Sequence, residues 1–380
     1  MSHAINTLLL GGAPTPEALE RFLETHEFPL AEDNQVTFVY RGDVKAVYLQ
    51  HWIFSLESTR PLTRVKGTDF WWLVMEVPPQ SRVEYKLLLE HANGGRELIL
   101  DPLNDALAHD PFGANSVCAG EGYETPEWIE PDEEARPGSI EPRRFKSDVY
   151  GEPREMMVYL PARYRETRRY PLLVVHDGSD YMRFSSLKAV LDNLIHRLEI
   201  PPMIVALTDS RNRLEEYADD ERHARFLAEE LVPALEDHYS ILGRPDARGL
   251  MGASFGGVAA LSTAWRYPGT FGRLLLQSGS FAFTDIGSTN PRGPLFGPVV
   301  DFMNAFRDAP GRPAERIFLS CGTYESLIYE NRSLVPLLQE TGMTVRYVEA
   351  RDGHNWENWR DRLREGLSWL FPGPLWMVYE

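Results

Sequence analysis

Apolar residues are spaced differently in different parts of the chain. Residues 13–25 open on Pro14 and Thr15 and repeat Ala18, Leu19, Phe22 and Leu23 at helical spacing, which predicts a short helix. Runs rich in β-branched and aromatic residues follow over 36–40, 46–49, 70–77 and 83–89, with Gly, Pro, Asp and Ser clusters between them. Such runs predict short strands, and several of them in succession predict a β-sandwich of roughly a hundred residues. The stretches 100–104 and 110–113 are irregular and are expected to wrap the sandwich edge. Residues 120–140 are rich in Glu, Pro and Gly and have no apolar period, the pattern of a linker.

Beyond the linker the pattern changes again. Residues 140–147 and 154–161 read as an antiparallel pair of strands. The unbroken apolar run 172–175 suits a strand buried on both faces of a largely parallel sheet. A helix over 187–198, a strand over 203–207 and a helix over about 224–239 come next. Further strands are expected over 273–280, 316–322 and 345–349. This alternation predicts an α/β sheet with right-handed crossovers, in which active residues collect at the carboxyl ends of the strands. The expected organisation is a sandwich domain over 1–125, a linker over 126–137 and an α/β domain over 138–380. A chain of 380 residues also exceeds what one core usually supports.

Composition narrows the partners. Hydrophobic content of 43% and charged content of 25% are ordinary for a soluble globular protein. The net charge of −17, from 56 acidic and 39 basic residues, repels polyanions. Nucleic acid and membrane are therefore not expected as partners, although a local basic pocket stays open. Cys118 and Cys321 lie far apart, so neither a disulfide framework nor a Cys-based metal site follows. Residues 1–10 lack a basic region and hold only a short apolar run. Neither a signal peptide nor a transmembrane helix is expected, and the expected location is cytoplasmic. Oligomeric state is not legible.

The chemistry centres on Gly252-Ala253-Ser254-Phe255-Gly256, a G-x-S-x-G pattern between an apolar run and the helical-looking Val258-Ala259-Ala260-Leu261. A strand, a sharp turn and a helix make the nucleophile elbow of an α/β-hydrolase. Glycine is needed two residues either side of the serine because a Cβ there would strike the backbone. The ordinary alternative is a Gly/Ser-rich loop without chemistry. A serine nucleophile needs a base, and the base needs an orienting acid. His354 is the one histidine C-terminal to Ser254, and it follows the last expected strand. Glu325, just past the strand ending near Cys321, is the best-placed acid. Asp285, Asp301, Glu330 and Asp352 are its rivals, and a surface carboxylate or loop histidine is the plain reading of each.

Two N–H donors must meet the oxyanion. Phe255 is one, and either Gly178 or Ser179, in the loop after 172–175, is the other. Arg183, Arg211 and Arg213 are candidates to hold an acidic substrate group; a solvated loop of Arg–Glu pairs is the other reading. Trp356, beside His354, either lines the cleft or packs under the last helix. No metal or organic cofactor is required.

Several of these segments resemble the esterase-D-type α/β-hydrolases, a group that includes enterochelin esterases, feruloyl esterases and mycolyl transferases. The likeness rests on Val158-Tyr159-Leu160-Pro161, His176-Asp177-Gly178, Gly252 to Gly257, Tyr267-Pro268 with Phe271, Ser278-Gly279-Ser280, and Gly353-His354 with Trp359-Arg360. Gly322-Thr323-Tyr324-Glu325-Ser326-Leu327 resembles the acid loop of feruloyl-esterase-like members, with glutamate where aspartate usually stands. The first domain resembles the N-terminal Ig-like domain of enterochelin esterases through Val36-Thr37-Phe38, Gly67 to Trp71, Tyr85-Lys86 and Asp101-Pro102-Leu103-Asn104. The resemblance implies a cytoplasmic serine esterase that hydrolyses the trilactone esters of a catecholate siderophore, with a small-molecule ester as its partner. A feruloyl or acetyl esterase, and a non-catalytic binding protein on a hydrolase scaffold, are the alternatives. The acidic balance of the chain does not favour an anionic ferric siderophore, so the three arginines would have to offset it locally.

Overall fold

In the computed structural model, which describes residues 3–10, 12–286 and 294–374, the chain divides into two compact units. The first comprises residues 1–125 together with 322–325 and 350–355, and the second comprises the remainder.

The first unit opens with helices α1 (Ala4–Leu9) and α2 (Pro16–Thr25), the latter capped by the Thr15 side chain. Ten strands follow: β1 (Leu30–Glu32), β2 (Gln35–Arg41), β3 (Ala46–His51), β4 (Thr59–Pro61), β5 (Thr63–Arg64), β6 (Phe70–Glu76), β7 (Arg82–Glu90), β8 (Arg96–Ile99), β9 (Leu107–Asp110) and β10 (Gly113–Ala119). One sheet runs β1-β2-β6-β5. The other runs β4-β3-β7-β10-β9, with β8 also on β7. All the pairings are antiparallel.

Phe38, Trp71 and Met75 of the first sheet meet Leu49, Tyr85 and Leu87 of the second in one apolar core. Ile5, Leu19 and Phe22 of α1 and α2 cover the opposite face of the first sheet, against Val39 and Phe70. With both faces covered, β2 is buried without a break from Val36 to Tyr40 instead of at alternate residues. The strands β1, β4, β5, β8, β9 and β10 are too short or carry too few apolar residues to be predicted. The irregular run after β8 is a tie between strands. Asp101 accepts the Tyr85 hydroxyl at 2.6 Å, Asn104 donates to that hydroxyl at 3.1 Å, and Asn104 also donates to the Val117 carbonyl at 2.8 Å. Asp101→Ala would strand the buried Tyr85 hydroxyl and lower unfolding stability by about 2 kcal/mol, which urea denaturation would measure.

The second unit is built on an eight-stranded sheet of β11 (Ser139–Ser147), β12 (Glu152–Leu160), β13 (Leu172–His176), β14 (Ile204–Thr208), β15 (Arg248–Ala253), β16 (Arg273–Gln277), β17 (Arg316–Gly322) and β18 (Thr344–Ala350). The order is β11-β12-β14-β13-β15-β16-β17-β18. The β11 and β12 pairings are antiparallel, and β14-β13-β15-β16-β17 is parallel. The helices are α3 (Gly178–Phe184), α4 (Leu187–His196), α5 (Arg213–Glu216), α6 (Glu221–Arg225), α7 (Val232–His238), α8 (Phe255–Arg266), α9 (Gly297–Asp308), α10 (Ile328–Glu340) and α11 (Trp356–Leu370). Two apolar cores sit on opposite faces of the sheet.

Three expectations are adjusted. The strand expected over 273–280 ends at Gln277, because Ser278 turns to φ 47°. The helix expected over 224–239 contains a π-helical turn over Phe226–Leu231 between α6 and α7. Pro233, with no N–H to give, is the residue that the wider turn accommodates. The loop expected after β13 becomes a helix almost at once, since α3 buries Tyr181 and Phe184. Residues 126–137 pack within this unit, where the Asn193 side chain donates to the carbonyls of Trp128 and Glu130. Among the described residues, no helix is long and apolar enough to cross a membrane.

Candidate active site

Strand β15 feeds directly into α8 through Ser254, whose φ of 79° and ψ of −111° lie outside the ordinary regions for a residue with a side chain. Such a conformation costs on the order of 1–3 kcal/mol and persists only where its surroundings enforce it. Here the Ser254 N–H donates to the Gln277 carbonyl at 3.0 Å, and the Ser254 carbonyl accepts the Ser280 N–H at 3.1 Å. The Ser254 hydroxyl lies 3.2 Å from the Ser280 hydroxyl.

The turn leaves no room at Gly252, where a Cβ would stand 2.3 Å from the Gly256 carbonyl oxygen. Gly252→Ala is expected to lower stability by about 3 kcal/mol; a thermal melt unchanged from the parent would contradict this. Phe255 is the first residue of α8, so its N–H has no intrahelical acceptor and lies at the positive end of the helix dipole.

The sheet order places β14 on one side of β13 and β15 on the other. That reversal marks a topological switch point, where open α/β sheets bind ligands at the strand carboxyl ends. Asp177 leaves β13 in the left-handed region, with φ 53°. Its carboxylate accepts Arg213 Nε at 3.0 and 2.9 Å, and Arg213 donates onward to the Ala253 carbonyl at 3.2 Å. Arg213 therefore braces the residue just before Ser254. The two candidate oxyanion donors differ. The Ser179 N–H donates to Asp209 at 3.1 Å, and the Ser179 hydroxyl is bound by the same carboxylate. Gly178 opens α3 so close to Leu207 that a Cβ would lie 2.6 Å from the Leu207 Cα.

Beneath the elbow lies a buried histidine pair. His176 Nδ1 donates to the Met251 carbonyl at 3.1 Å, so its Nε2 accepts from His223 Nε2, 2.9 Å away. His223 Nδ1 in turn accepts the Tyr150 hydroxyl at 3.3 Å. Burial pushes the His176 imidazole down to about 4. Burial, reinforced by His176 and Arg154, holds His223 well below its ordinary value. A base whose folded pKa is depressed binds fewer protons folded than unfolded, so it stabilises the fold above its unfolded pKa of about 6.5 and that contribution is lost as pH falls. Asp352 acts in the opposite sense, because burial raises its carboxyl to about 6. His51, lowered by burial, acts with the pair, and Asp101 and Asp180, raised by burial, act with Asp352. The deeply buried His176 and His223 are expected to dominate, so stability should fall between about pH 6.5 and 4. Urea midpoints that rise on acidification across that window would contradict the expectation.

Glu325 and His354 come together in the first unit. Glu325 is buried, with 4% of its surface exposed. Its Oε1 accepts the Gly322 N–H at 2.5 Å and its Oε2 lies 2.6 Å from His354 Nδ1. A carboxylate only accepts, so Nδ1 carries the proton and the Nε2 lone pair is the basic site of the neutral ring. The His354 side chain is 36% exposed. The rival acids are placed differently: Asp285 pairs with Arg307 at 2.8 Å, Asp352 pairs with Arg82 at 3.2 Å, Asp301 is exposed on α9, and Glu330 is buried in the first turn of α10.

The remaining candidates are dispersed. Arg211 binds Glu152 and the Pro153 carbonyl, which is the Arg–Glu loop reading. Arg183 is exposed, with its guanidinium 5.0 Å from the Phe184 ring centroid. Trp356 is buried in an aromatic cluster, 5.2 Å from Tyr181 and 4.8 Å from Trp359 between ring centroids, so it packs under the last helix. Sequence reasoning missed the Asp177–Arg213 brace and the histidine pair. The His176-Asp177-Gly178 turn stands out, but nothing in the sequence indicates that Arg213, 36 positions after Asp177, will meet it.

The family model described as "Putative esterase" matches residues 147–370. The uncharacterised protein YjcH of Bacillus subtilis (strain 168) is 31% identical over 251 residues, covering 61% of this chain and 97% of that protein. The iron(III) enterobactin esterase of Escherichia coli (strain K12) is 25% identical over 335 residues, covering 80% of each chain. The crystal structure of the ferric enterobactin esterase of Salmonella typhimurium superposes with a TM-score of 0.75 at 21% identity, covering 92% of this chain and 98% of that one. A ferulic acid esterase of Anaeromyces mucronatus, solved with ferulic acid, superposes with a TM-score of 0.53 at 20% identity, covering 64% of this chain and 94% of that one. The fold is thus that of an esterase-type α/β-hydrolase resembling the enterochelin esterases, and the chain belongs to the putative esterase family.

Proposed function

We propose that the protein is a serine esterase working through an acyl-enzyme, with Ser254 as nucleophile, His354 as general base and Glu325 as the orienting acid. The observation that carries this reading is the 2.6 Å contact between His354 Nδ1 and the buried Glu325 carboxylate. A loop histidine with no role has no reason to hold a buried carboxylate in that geometry, because burying the charge is costly.

His354 Nε2 takes the Ser254 proton as the hydroxyl oxygen attacks an ester carbonyl. The Phe255 N–H and a first-turn N–H of α3, from Gly178 or Ser179, receive the developing oxyanion. The imidazolium returns its proton to the departing alkoxide. Water, deprotonated by His354, then releases the acid and restores the serine. Glu325 holds the productive tautomer and stabilises the imidazolium.

For the substrate, we favour a catecholate siderophore trilactone. The support is the 25% identity to an iron(III) enterobactin esterase across 80% of the chain. The exposed Arg183 offers a cation to such a ligand. A feruloyl- or acetyl-type esterase is the second reading, favoured by the ferulic acid esterase likeness of the α/β unit. A side-by-side assay of enterobactin, with and without iron, against methyl ferulate and p-nitrophenyl acetate tests the choice. A large kcat/KM preference for the trilactone is expected, and turnover of the small esters alone would remove the siderophore role while leaving the esterase.

A further inference from the structure

The two loops that carry Glu325 and His354 group with the sandwich, and the contacts that hold them are specific. Arg82, on β7, has a side chain only 3% exposed. Its guanidinium reaches Asp352 at 3.2 Å, Asn355 Oδ1 at 3.1 Å and Glu84 at 3.1 Å. Its backbone N–H donates to the Arg351 carbonyl at 2.9 Å, and the Arg351 guanidinium returns a bond to the Pro79 carbonyl at 2.7 Å. His354 therefore sits between residues that Arg82 grips on either side. The adjoining Ser81 lies 2.6 Å from the Tyr324 hydroxyl, hydroxyl to hydroxyl, and the Phe54 N–H donates to the Tyr324 carbonyl at 2.7 Å. Tyr324 precedes Glu325, and its own N–H donates to the Asp352 carbonyl at 3.1 Å. The acid loop and the base loop are thus tied to the same strand of the sandwich and to each other.

We propose that the sandwich positions the acid–base pair: Arg82, with Ser81 beside it, sets the separation and orientation of His354 and Glu325 through Asp352, Asn355 and Tyr324. A buried ion pair seldom adds net stability over apolar side chains of similar size, because desolvation cancels most of the attraction. Bringing Arg82 and Asp352 together in the interior is better accounted for by what it orients. Arg82 acts through Asp352 and Asn355, so it is a positioning residue. Misplacing a base by about 1 Å costs about 10²-fold in rate, so the arrangement acts on kcat.

The proposal rests on the reading of His354 as base and Glu325 as its acid. The test uses the full-length chain with the variants Arg82→Met, Arg82→Lys and Tyr324→Phe, each checked for a cooperative thermal transition. The readouts are kcat and KM on p-nitrophenyl acetate and the downfield proton resonance of the His354–Glu325 hydrogen bond. Folded Arg82→Met should lose about 10²-fold in kcat with KM within about two-fold, and its downfield resonance should shift or broaden. Arg82→Lys should recover part of the loss, since an ammonium pairs with Asp352 but lacks the fork that also reaches Asn355. If Arg82→Met does not fold, Tyr324→Phe decides: a kcat loss of several-fold with a shifted resonance supports the proposal. Wild-type kcat and an unshifted resonance in a folded Arg82→Met, or in Tyr324→Phe where that variant decides, overturn it. Ser254→Ala and His354→Ala run alongside; if they keep full activity, the reading of Ser254 and His354 as nucleophile and base has failed, whatever Arg82 does.

Discussion

Ser254→Ala is expected to abolish ester hydrolysis, with kcat reduced about 10⁴- to 10⁶-fold and the fold unchanged. The size of the loss follows from the way a nucleophile, its base and its acid act together: removing one leaves only the residual rate from the oxyanion donors and from binding. The Ser254 hydroxyl contacts the Ser280 hydroxyl at 3.2 Å, and the fold should survive its loss. The turn itself is held by main-chain bonds from Ser254 to Gln277 and from Ser280 to Ser254. Alanine tolerates φ of 79° no worse than serine, so the thermal midpoint should stay close to that of the parent. Steady-state kinetics on p-nitrophenyl acetate, with a thermal melt beside them, measure both. A folded Ser254→Ala protein that keeps parental turnover would refute the nucleophile.

Glu325→Gln should cost about 10³- to 10⁴-fold in kcat while barely changing KM. The glutamine amide can donate to His354 Nδ1, which a carboxylate cannot. The neutral imidazole then carries its proton on Nε2 and has no lone pair there for the serine proton, and the imidazolium loses its counter-charge. The amide oxygen can still accept the Gly322 N–H that Glu325 Oε1 accepts at 2.5 Å, so the loop should hold. Glu325→Asp tests the length of the side chain. Shortening it by one methylene without moving the backbone opens the 2.6 Å contact to His354, and about 10²-fold should be lost. Parental kcat in both variants would show that another carboxylate, or none, orients His354.

What was legible in the sequence follows from which interactions are local. The elbow could be read because its requirements lie within five residues: a Cβ at Gly252 collides with Gly256 of the same turn. The parallel strands could be read because burial on both faces removes polar residues, as in β13 and β14, where every residue is buried. His354 and Glu325 were found from chain order and strand ends, but their 2.6 Å contact spans 29 residues of sequence and only a folded chain shows it. The partners of the arginines are illegible for the same reason. Arg213 meets Asp177 across 36 residues, and Arg82 meets Asp352 across 270. A charged residue in a loop looks alike in sequence whether it awaits a ligand or already has a partner. The short strands β8 and β9 were missed because pairing along a neighbouring strand, and not an apolar period, keeps them extended.

The central claim is an activated serine at position 254. It is tested most directly by treating the full-length protein with a fluorophosphonate and mapping the adduct by peptide mass spectrometry. The account predicts rapid, stoichiometric labelling on the peptide carrying Ser254, greatly slowed in His354→Ala and in Glu325→Gln. Absence of labelling in the folded protein, or an adduct on a different residue, would contradict it.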